Sequence, residues 1–313
     1  MKHAILDLGT NTFHLLIVEA NSDYTYTVLH ESKSVVKLGE GAIERNFIEK
    51  VPFQRGVKAV VNFARQIRNF SVNHIHAFAT SAVRGASNGS EFVEEVFAKT
   101  GIKISVIKGE QEAELIYFGI RQCVELSPHP VLMMDIGGGS VEFIIGSNEK
   151  IFWKGSYNIG VARLLEHFSP SDPISNSQIS EIEKFLEFQL QSLSKAIQDF
   201  PVQCIIGSSG SFESYAEMIA PSRDSRPDKH KSCTYEFQLN DYFNLHESLI
   251  RSTRKERKQM KGLLKMRVDM IVLASIITNL VLQKYSITQM KLSEYSLKEG
   301  ALWKCLRQEG ILA

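Results

Sequence analysis

The sequence has no paired cysteine motif, no apolar run long enough for a bilayer and no excess of charge of either sign. Its four cysteines, Cys123, Cys204, Cys233 and Cys305, are scattered without a CxxC spacing. Such spacing suggests neither a disulfide framework nor a zinc site and fits a reducing, cytoplasmic setting. The N-terminal MKHAILDLGTN lacks the apolar core and small-residue cleavage site of a secretory signal. The longest oily stretch, Met270 to Leu282, is too short for a membrane span and contains Asn279, so a buried helix is expected there. Lys and Arg total 36 against 35 Asp and Glu, a net charge of +1, and nucleic acid is therefore not an expected partner. No GxxxxGK[ST] loop occurs, and DIGGGSVEF departs from the GxGxxG dinucleotide fingerprint because Glu142 stands at the last glycine position.

What is present is a chain of 313 residues, enough for two domains, with the 43% apolar and 23% charged composition of a globular protein. Short β-type runs alternate with helical patterns, so the class is α/β. Strands are expected at Ala4–Leu8, Phe13–Val18, Tyr26–Leu29, His74–Ala79 and Ile102–Ile107, with helices near Phe53–Phe70, Ser90–Thr100 and Glu110–Val124. The segment LSPHP, Leu126 to Pro130, breaks the last of these and separates residues 1–125 from 126–299. A helix over about 300–313 is expected to pack back on the first unit. In the second unit long helices are expected near Ser177–Gln198 and Asp241–Ser252, and the polar, proline-broken Pro221–Ser232 segment reads as a mobile loop.

The chain also echoes itself. Aligning Asp7 with Asp135 pairs DLGTNTFHLLI with DIGGGSVEFII. Each reads apolar strand, Asp, apolar residue, Gly, three small residues, and a second apolar strand, which predicts two related halves facing one another across a cleft. Gly9, Thr10, Asn11 and Thr12 offer backbone N–H groups, two hydroxyls and an amide; Gly137, Gly138, Gly139 and Ser140 offer nearly bare N–H groups. Arrays of this kind bind anionic oxygens without carrying charge. Either turn alone would pass as an ordinary tight hairpin, but a GGGS turn between two buried strands exposes backbone for no packing gain, and phosphate is the expected ligand. Asp7 and Asp135 end apolar strands at the cleft. Each could cap its own turn, but a bare carboxylate beside phosphate calls for a cation, so Mg²⁺ held largely through waters and substrate oxygens is expected, with Glu142 a further acid.

Other candidates are weaker individually. In CIIGSSGSFESYAEMI the strand is expected to end at Gly207 and a helix to start near Phe212, with Ser208, Ser209, Gly210 and Ser211 forming a third anion loop or, equally, a plain Ser N-cap. Water attack needs a base, and KGEQEAELIY places Glu110, Glu112 and Glu114 in or near a helix's first turn, where the macrodipole already favours acids. The residues themselves do not choose among the three. Arg84, in ATSAVRGAS, could clamp a phosphate bidentately, although a lone arginine usually does nothing of the kind. Arg251 to Arg267 holds eight basic residues against Glu256, which is most simply a solvated face. The HIH at His74–His76 has no acid or cysteine beside it and reads as structural.

Taken together, DLGTNTFHLLI, KLGEGAIERNFI, ATSAVRGA, IKGEQEAELIY, MDIGGGSVEFIIG, NIGVARLLEHF and IIGSSGSF resemble, in order and over nearly the whole chain, the blocks of the Ppx/GppA phosphatase family. The resemblance implies two actin-like ATPase domains of the sugar kinase/Hsp70/actin, ribonuclease H-like kind flanking a cleft. It implies Mg²⁺-assisted water attack on the terminal phosphate of inorganic polyphosphate or guanosine pentaphosphate. It places the catalytic glutamate at Glu112 and the strand-end arginine at Arg84. Ser296 to Gly300, where the family usually has Gly-Leu-Arg-Glu-Gly, and Val268, in place of alanine, depart from its pattern and bear on substrate preference. The long members' extra C-terminal helical domains do not follow Ala313, so a shorter substrate is expected. A homodimer is typical of the family, and K⁺ as a second cation stays open. Two alternatives stand beside the hydrolase, a non-catalytic polyphosphate or alarmone sensor and a small-molecule kinase of the same superfamily.

Overall fold

A computed structural model describes residues 1–21, 25–220 and 233–308; the Pro221–Ser232 segment and residues 309–313 lie outside the described residues. The fold is α/β, with two mixed sheets. The first contains β1 (Lys2–Leu8), β2 (Thr12–Ala20), β3 (Tyr26–Val35), β4 (His74–Ala79) and β5 (Ile104–Val106), in the order β3-β2-β1-β4-β5. The second contains β6 (Val131–Ile136), β7 (Val141–Gly146), β8 (Ile151–Tyr157), β9 (Cys204–Ser208), β10 (Thr234–Phe237) and β11 (Gln289–Ser293), in the order β10-β11-β9-β6-β7-β8. Each sheet opens with an antiparallel meander, β1-β2-β3 or β6-β7-β8, and continues with a parallel strand beside its first, β4 or β9. The echo of the two aspartate turns is thus an echo of two whole sheets, the arrangement expected of paired actin-like lobes.

Helices α1 (Lys50–Asn69), α2 (Ser81–Gly85) and α3 (Gly89–Thr100) belong to the first half, followed by α4 (Gly109–Cys123). In the second half are α5 (Val161–Phe168), α6 (Asn176–Gln189), α7 (Gln191–Asp199), α8 (Ser209–Ile219), α9 (Leu239–Arg251), α10 (Arg254–Arg257) and α11 (Ile271–Lys284). The last, α12 (Leu297–Gln308), packs on α4 and β1. Pairing is so close that a Cβ on Gly300 would run into the Leu115 carbonyl and one on Gly119 into that of Ser296. Oily α11 is buried almost all round, and no helix among the described residues is long and apolar enough to cross a membrane.

Strand alternation then decides where the acids go. Ala4, Leu6 and Leu8 of β1 face α1 and α3, while Ile5 faces a middle core that includes Ile116, Ile120 and Leu302 of α4 and α12. In β6, Leu132, Met134 and Ile136 face the outer helices and Met133 faces the same middle core. Asp7 follows Ile5 by two residues and Asp135 follows Met133 by two. Both carboxylates are therefore aimed at the space between the sheets, at the end where α4 begins.

Some expectations are corrected. The single helix expected over Ser177–Gln198 is two, because Leu190 leaves helical geometry to bury itself at 1% exposure in the core both helices share. The helix of the third loop begins at Ser209, not near Phe212. Cys123 and Cys233, read as unpaired, form a disulfide with Cα atoms 5.5 Å apart, because the fold sets the end of α4 beside the start of β10 across 110 residues. No local spacing carries that signal. Cys204 and Cys305 form no disulfide among the described residues.

Candidate active site

A cavity of about 450 Å³ is lined by both glycine turns, by Asp7, Glu112 and Asp135, and by Ser209, Gly210 and Ser211 of the third loop. The turns touch across it. A Cβ on Gly138 would come 2.5 Å from the Asn11 amide nitrogen, and one on Gly139 would come 2.8 Å from the Thr10 hydroxyl and 2.6 Å from that of Ser81. Glycine is required there because the facing turn occupies the space.

Each turn is tethered from behind. Amides of Val36 and Lys37 donate to the Asn11 carbonyl at 2.9 Å, and Leu38 donates to that of Thr10 at 2.6 Å. On the other side the first turn of α5 does the same: Val161 donates to Gly137 O at 3.0 Å and Ala162 to Gly138 O at 2.8 Å. With those carbonyls engaged on the far side, the amides in the same peptide planes, of Asn11, Thr12, Gly138 and Gly139, are turned towards the cavity, while the Gly137 amide closes its own turn on the Ser140 carbonyl at 3.0 Å. This use of the KLGEGAIERN and NIGVAR segments was not foreseen from the residues; both were recognised as blocks without an assigned task.

Glu112 enters from the first turn of α4 and is 7% exposed. Arg84, at the end of α2, donates through Nη1 to Glu112 Oε2 at 2.8 Å and to the Ile107 carbonyl at 2.9 Å. Burial raises the Glu112 carboxyl to about 7 against the opposing pull of Arg84, and Asp135 adds to the rise. Of its two neighbours, Glu110 is exposed and Glu114 is held low by hydrogen bonds from Lys154 and Lys304. Only Glu112 of the three lines the cavity.

The other acids differ in setting. Burial, with the charges of Glu112 and Asp135, pushes Asp7 up to about 8. Asp135 accepts hydrogen bonds from the hydroxyls of Ser208, at 2.8 Å, and Ser296. Glu142 pairs across the hairpin with Asp135, as His14 does with Asp7. It sits behind the cavity at 1% exposure, accepts from Ser156 at 2.6 Å, and is raised by burial and by Glu112. Among the described residues no three acids, histidines or cysteines converge closely enough to hold a metal between them.

Several proposed phosphate contacts fall elsewhere. Gly207 is a glycine because the Phe212 ring lies where a Cβ would be, and Ser208 is fully buried against Asp135. Neither lines the cavity. Ser209 does, held in the left-handed region at φ 61°, a cost tolerated most often at binding sites. Arg84 is occupied by Glu112, which it orients.

Cationic side chains supply what the glycine motifs did not announce. Lys33, Arg267 and Lys298 line the cavity, the last two paired with acids. Arg267 bonds Ser214 at 2.8 Å and Glu213 at 3.1 Å, and Lys298 pairs with Glu299 and Glu31. Beside them His14 is lowered to about 4 by burial and the Lys298 charge, and is neutral at physiological pH. In the rest of the basic stretch Arg257 is buried on the Ser252 and Val268 carbonyls and on Asp172, Arg254 pairs with Asp269 and Arg251 with Glu247, while Lys255, Lys258, Lys261 and Lys265 are exposed. Counting charge along the sequence could not separate Arg267 from these neighbours.

With this geometry in place, comparison with known proteins is informative. A profile of the Ppx/GppA phosphatase family matches residues 16–309. An exopolyphosphatase of Cytophaga hutchinsonii, known as a crystal structure, superposes with a TM-score of 0.95 at 36% identity, each chain covered over 100% of its length. Exopolyphosphatase 1 of Mycobacterium leprae is 25% identical over 310 residues, 99% of this chain and 91% of the relative. A bifunctional 3-dehydroquinate synthase/phosphatase of Fusobacterium nucleatum is 30% identical over 90% of this chain, which accounts for 43% of that larger protein.

Proposed function

The chain belongs to the Ppx/GppA phosphatase family, and from that premise we propose that it is a phosphohydrolase releasing the terminal phosphate of inorganic polyphosphate to water. The observation that carries the reading is the placement of Glu112 at the cavity between two amide-lined turns, where an anionic phosphoryl group and an attacking water would meet. A carboxyl near 7 is matched to accept the proton of that water at neutral pH. Arg84 fixes Oε2 and leaves Oε1 for the water. The N–H groups of the two turns that are not used within them, those of Asn11, Thr12, Gly138 and Gly139, stabilise charge on the equatorial oxygens, which is most of what phosphoryl transfer asks of a protein. Lys33, Arg267 and Lys298 face the rest of the anionic chain.

Asp7, Glu112 and Asp135 share one end of the cavity with Glu142 behind them, and burial together with the neighbouring acids raises Asp7 and Glu112. The donor set fits a hard dication such as Mg²⁺, with Asp135 and Asp7 as the residues that would hold it and Glu142 behind them. Because no three of them converge as a cage, the cation would be completed by water and substrate oxygens. Bound there, it neutralises charge on the phosphate being transferred.

The test is orthophosphate release with Mg²⁺ from short polyphosphate, long polyphosphate and guanosine pentaphosphate, which share a terminal phosphoanhydride. Release is expected from polyphosphate. Glu112→Gln should lower kcat by about a thousandfold while the variant stays folded. Binding without release would support a sensor, and release only to an added acceptor a kinase; either result overturns the proposal.

A further inference from the structure

The two glycine turns belong to different lobes, so their spacing depends on how the lobes are held together. One side chain spans them. Arg163, the third residue of α5, donates through Nε to the Gly139 carbonyl at 3.3 Å. Through Nη1 it reaches the Ile43 carbonyl at 2.8 Å and Glu44 Oε1 at 3.2 Å. Glu44 is engaged further by His167 at 3.3 Å, and its amide donates to Glu166 at 3.3 Å. Ile43 and Glu44 continue the Val36–Leu38 segment whose amides tether the first turn; α5 tethers the second. Arg163 therefore joins the backs of both tethers. Its side chain is 12% exposed, so the contact is shielded from water and persists better than a surface pair. It does not line the cavity.

We propose that Arg163 is a positioning residue that sets the distance between the two phosphate turns, acting as a latch between the lobes behind the site. The inference rests on the phosphohydrolase reading. Close packing behind Gly138 supports it: a Cβ on Gly160 would come within 2.5 Å of the Gly138 carbonyl, so α5 cannot shift without moving the turn. Opening the latch lets the turns separate, and donors aimed at a transition state lose more from small displacements than donors that merely bind the ground state. The loss therefore falls on kcat more than on KM.

Arg163→Met keeps the aliphatic stem and removes the latch. Its kcat on tripolyphosphate should fall by about a hundredfold, the scale of an ångström-sized misplacement, with KM changing much less. In Arg163→Ala, added guanidinium should restore part of kcat, and Glu44→Gln should lose less because both carbonyl contacts remain. Thermal melting separates a folding defect from a positioning one. The inference is overturned if Arg163→Met turns over within about twofold of the parent. It is also overturned if its loss follows the folded fraction and guanidinium restores nothing. A parent protein that releases no phosphate sinks the phosphohydrolase reading itself, a different result from an active parent with an indifferent variant.

Discussion

The two aspartate turns share a scaffold and differ in their chemistry. Gly9 and Gly137 begin them in the same way, each with its would-be Cβ 2.9 Å from the carbonyl three residues on. After that they diverge. The first turn carries Thr10, Asn11 and Thr12, and its acid, Asp7, is pushed up to about 8 by burial and neighbouring acids. The second is bare backbone, and its acid, Asp135, is supplied with the hydroxyls of Ser208 and Ser296. A duplicated fold thus holds one carboxyl in surroundings that favour its neutral form and the other among hydroxyl donors. The duplication supplies the two facing turns, and the divergence gives their acids different surroundings.

The sharpest way to break this comparison is to neutralise each aspartate in turn. Asp135→Asn replaces an acceptor of two serine hydroxyls with a donor, and kcat for phosphate release should fall by about a hundredfold or more. Asp7→Asn copies the protonated form that the metal-free site favours and keeps a neutral oxygen for the cation, so its loss should be the smaller, about tenfold, with a higher Mg²⁺ requirement. Equal losses, or the reverse order, would show that the two turns are used alike.

The same difference has a signature in stability. Asp7 moves from an ordinary value of 3.8 to about 8 on folding, and Glu112 from 4.5 to about 7. Between those limits these two groups bind more protons in the folded chain than in the unfolded one, so their contribution to stability is greatest near pH 4 and below and is lost as the pH rises towards 8. Each group contributes a slope of at most about 1.4 kcal/mol per pH unit. Denaturant unfolding of Asp7→Asn, without ligand, should show a flatter decline over that window than the parent. An unchanged slope would mean that Asp7 ionises normally.

Much of this was legible in the sequence, for a physical reason. A strand has a period of two, so Asp placed two residues after a core-facing position shares its face, and two glycine turns in register, one of them GGGS, expose more backbone than tight hairpins need. Aligning the two motifs puts Glu142 in the echo position of His14, and the strand registers give them matching places, His14 opposite Asp7 and Glu142 opposite Asp135. What stayed hidden depends on contacts between segments distant in the chain. Ser208 reads as a loop hydroxyl until β9 is laid beside β6, which puts it on Asp135. Arg84 reads as a phosphate clamp until α4 brings Glu112 to it. Arg163 and the Cys123–Cys233 pair join residues about 120 and 110 positions apart, and no local pattern announces either.

Where the turns meet, substitution should be felt through the partner. A methyl on Gly138 presses on the Asn11 amide, the end of a side chain that can give way, whereas one on Gly139 presses on both Thr10 and Ser81. Gly138→Ala should lower kcat/KM by about tenfold, the order of a small displacement of the donors. Trimming the neighbour, in Gly138→Ala with Asn11→Ala, should recover part of what Asn11→Ala alone allows. A double variant no better than the product of the single losses would place the two turns further apart than the structure has them.

The smallest effect tests what the turns share. In Gly9→Ala and Gly137→Ala the new methyl meets not the other lobe but its own turn, against the Thr12 and Ser140 carbonyls respectively. A backbone oxygen cannot swing aside as a side chain can, so each turn must widen by a few tenths of an ångström. The cost should be about 1–2 kcal/mol of stability, nearly the same for both, since the strain is set by hairpin geometry and not by the chemistry that separates the lobes. Paired melting curves measure it. Matching losses would assign this glycine to the common scaffold, and a much larger loss at Gly137 would show that the α5 tether, through the 3.0 Å bond from Val161 to the Gly137 carbonyl, makes the second turn the stiffer of the two.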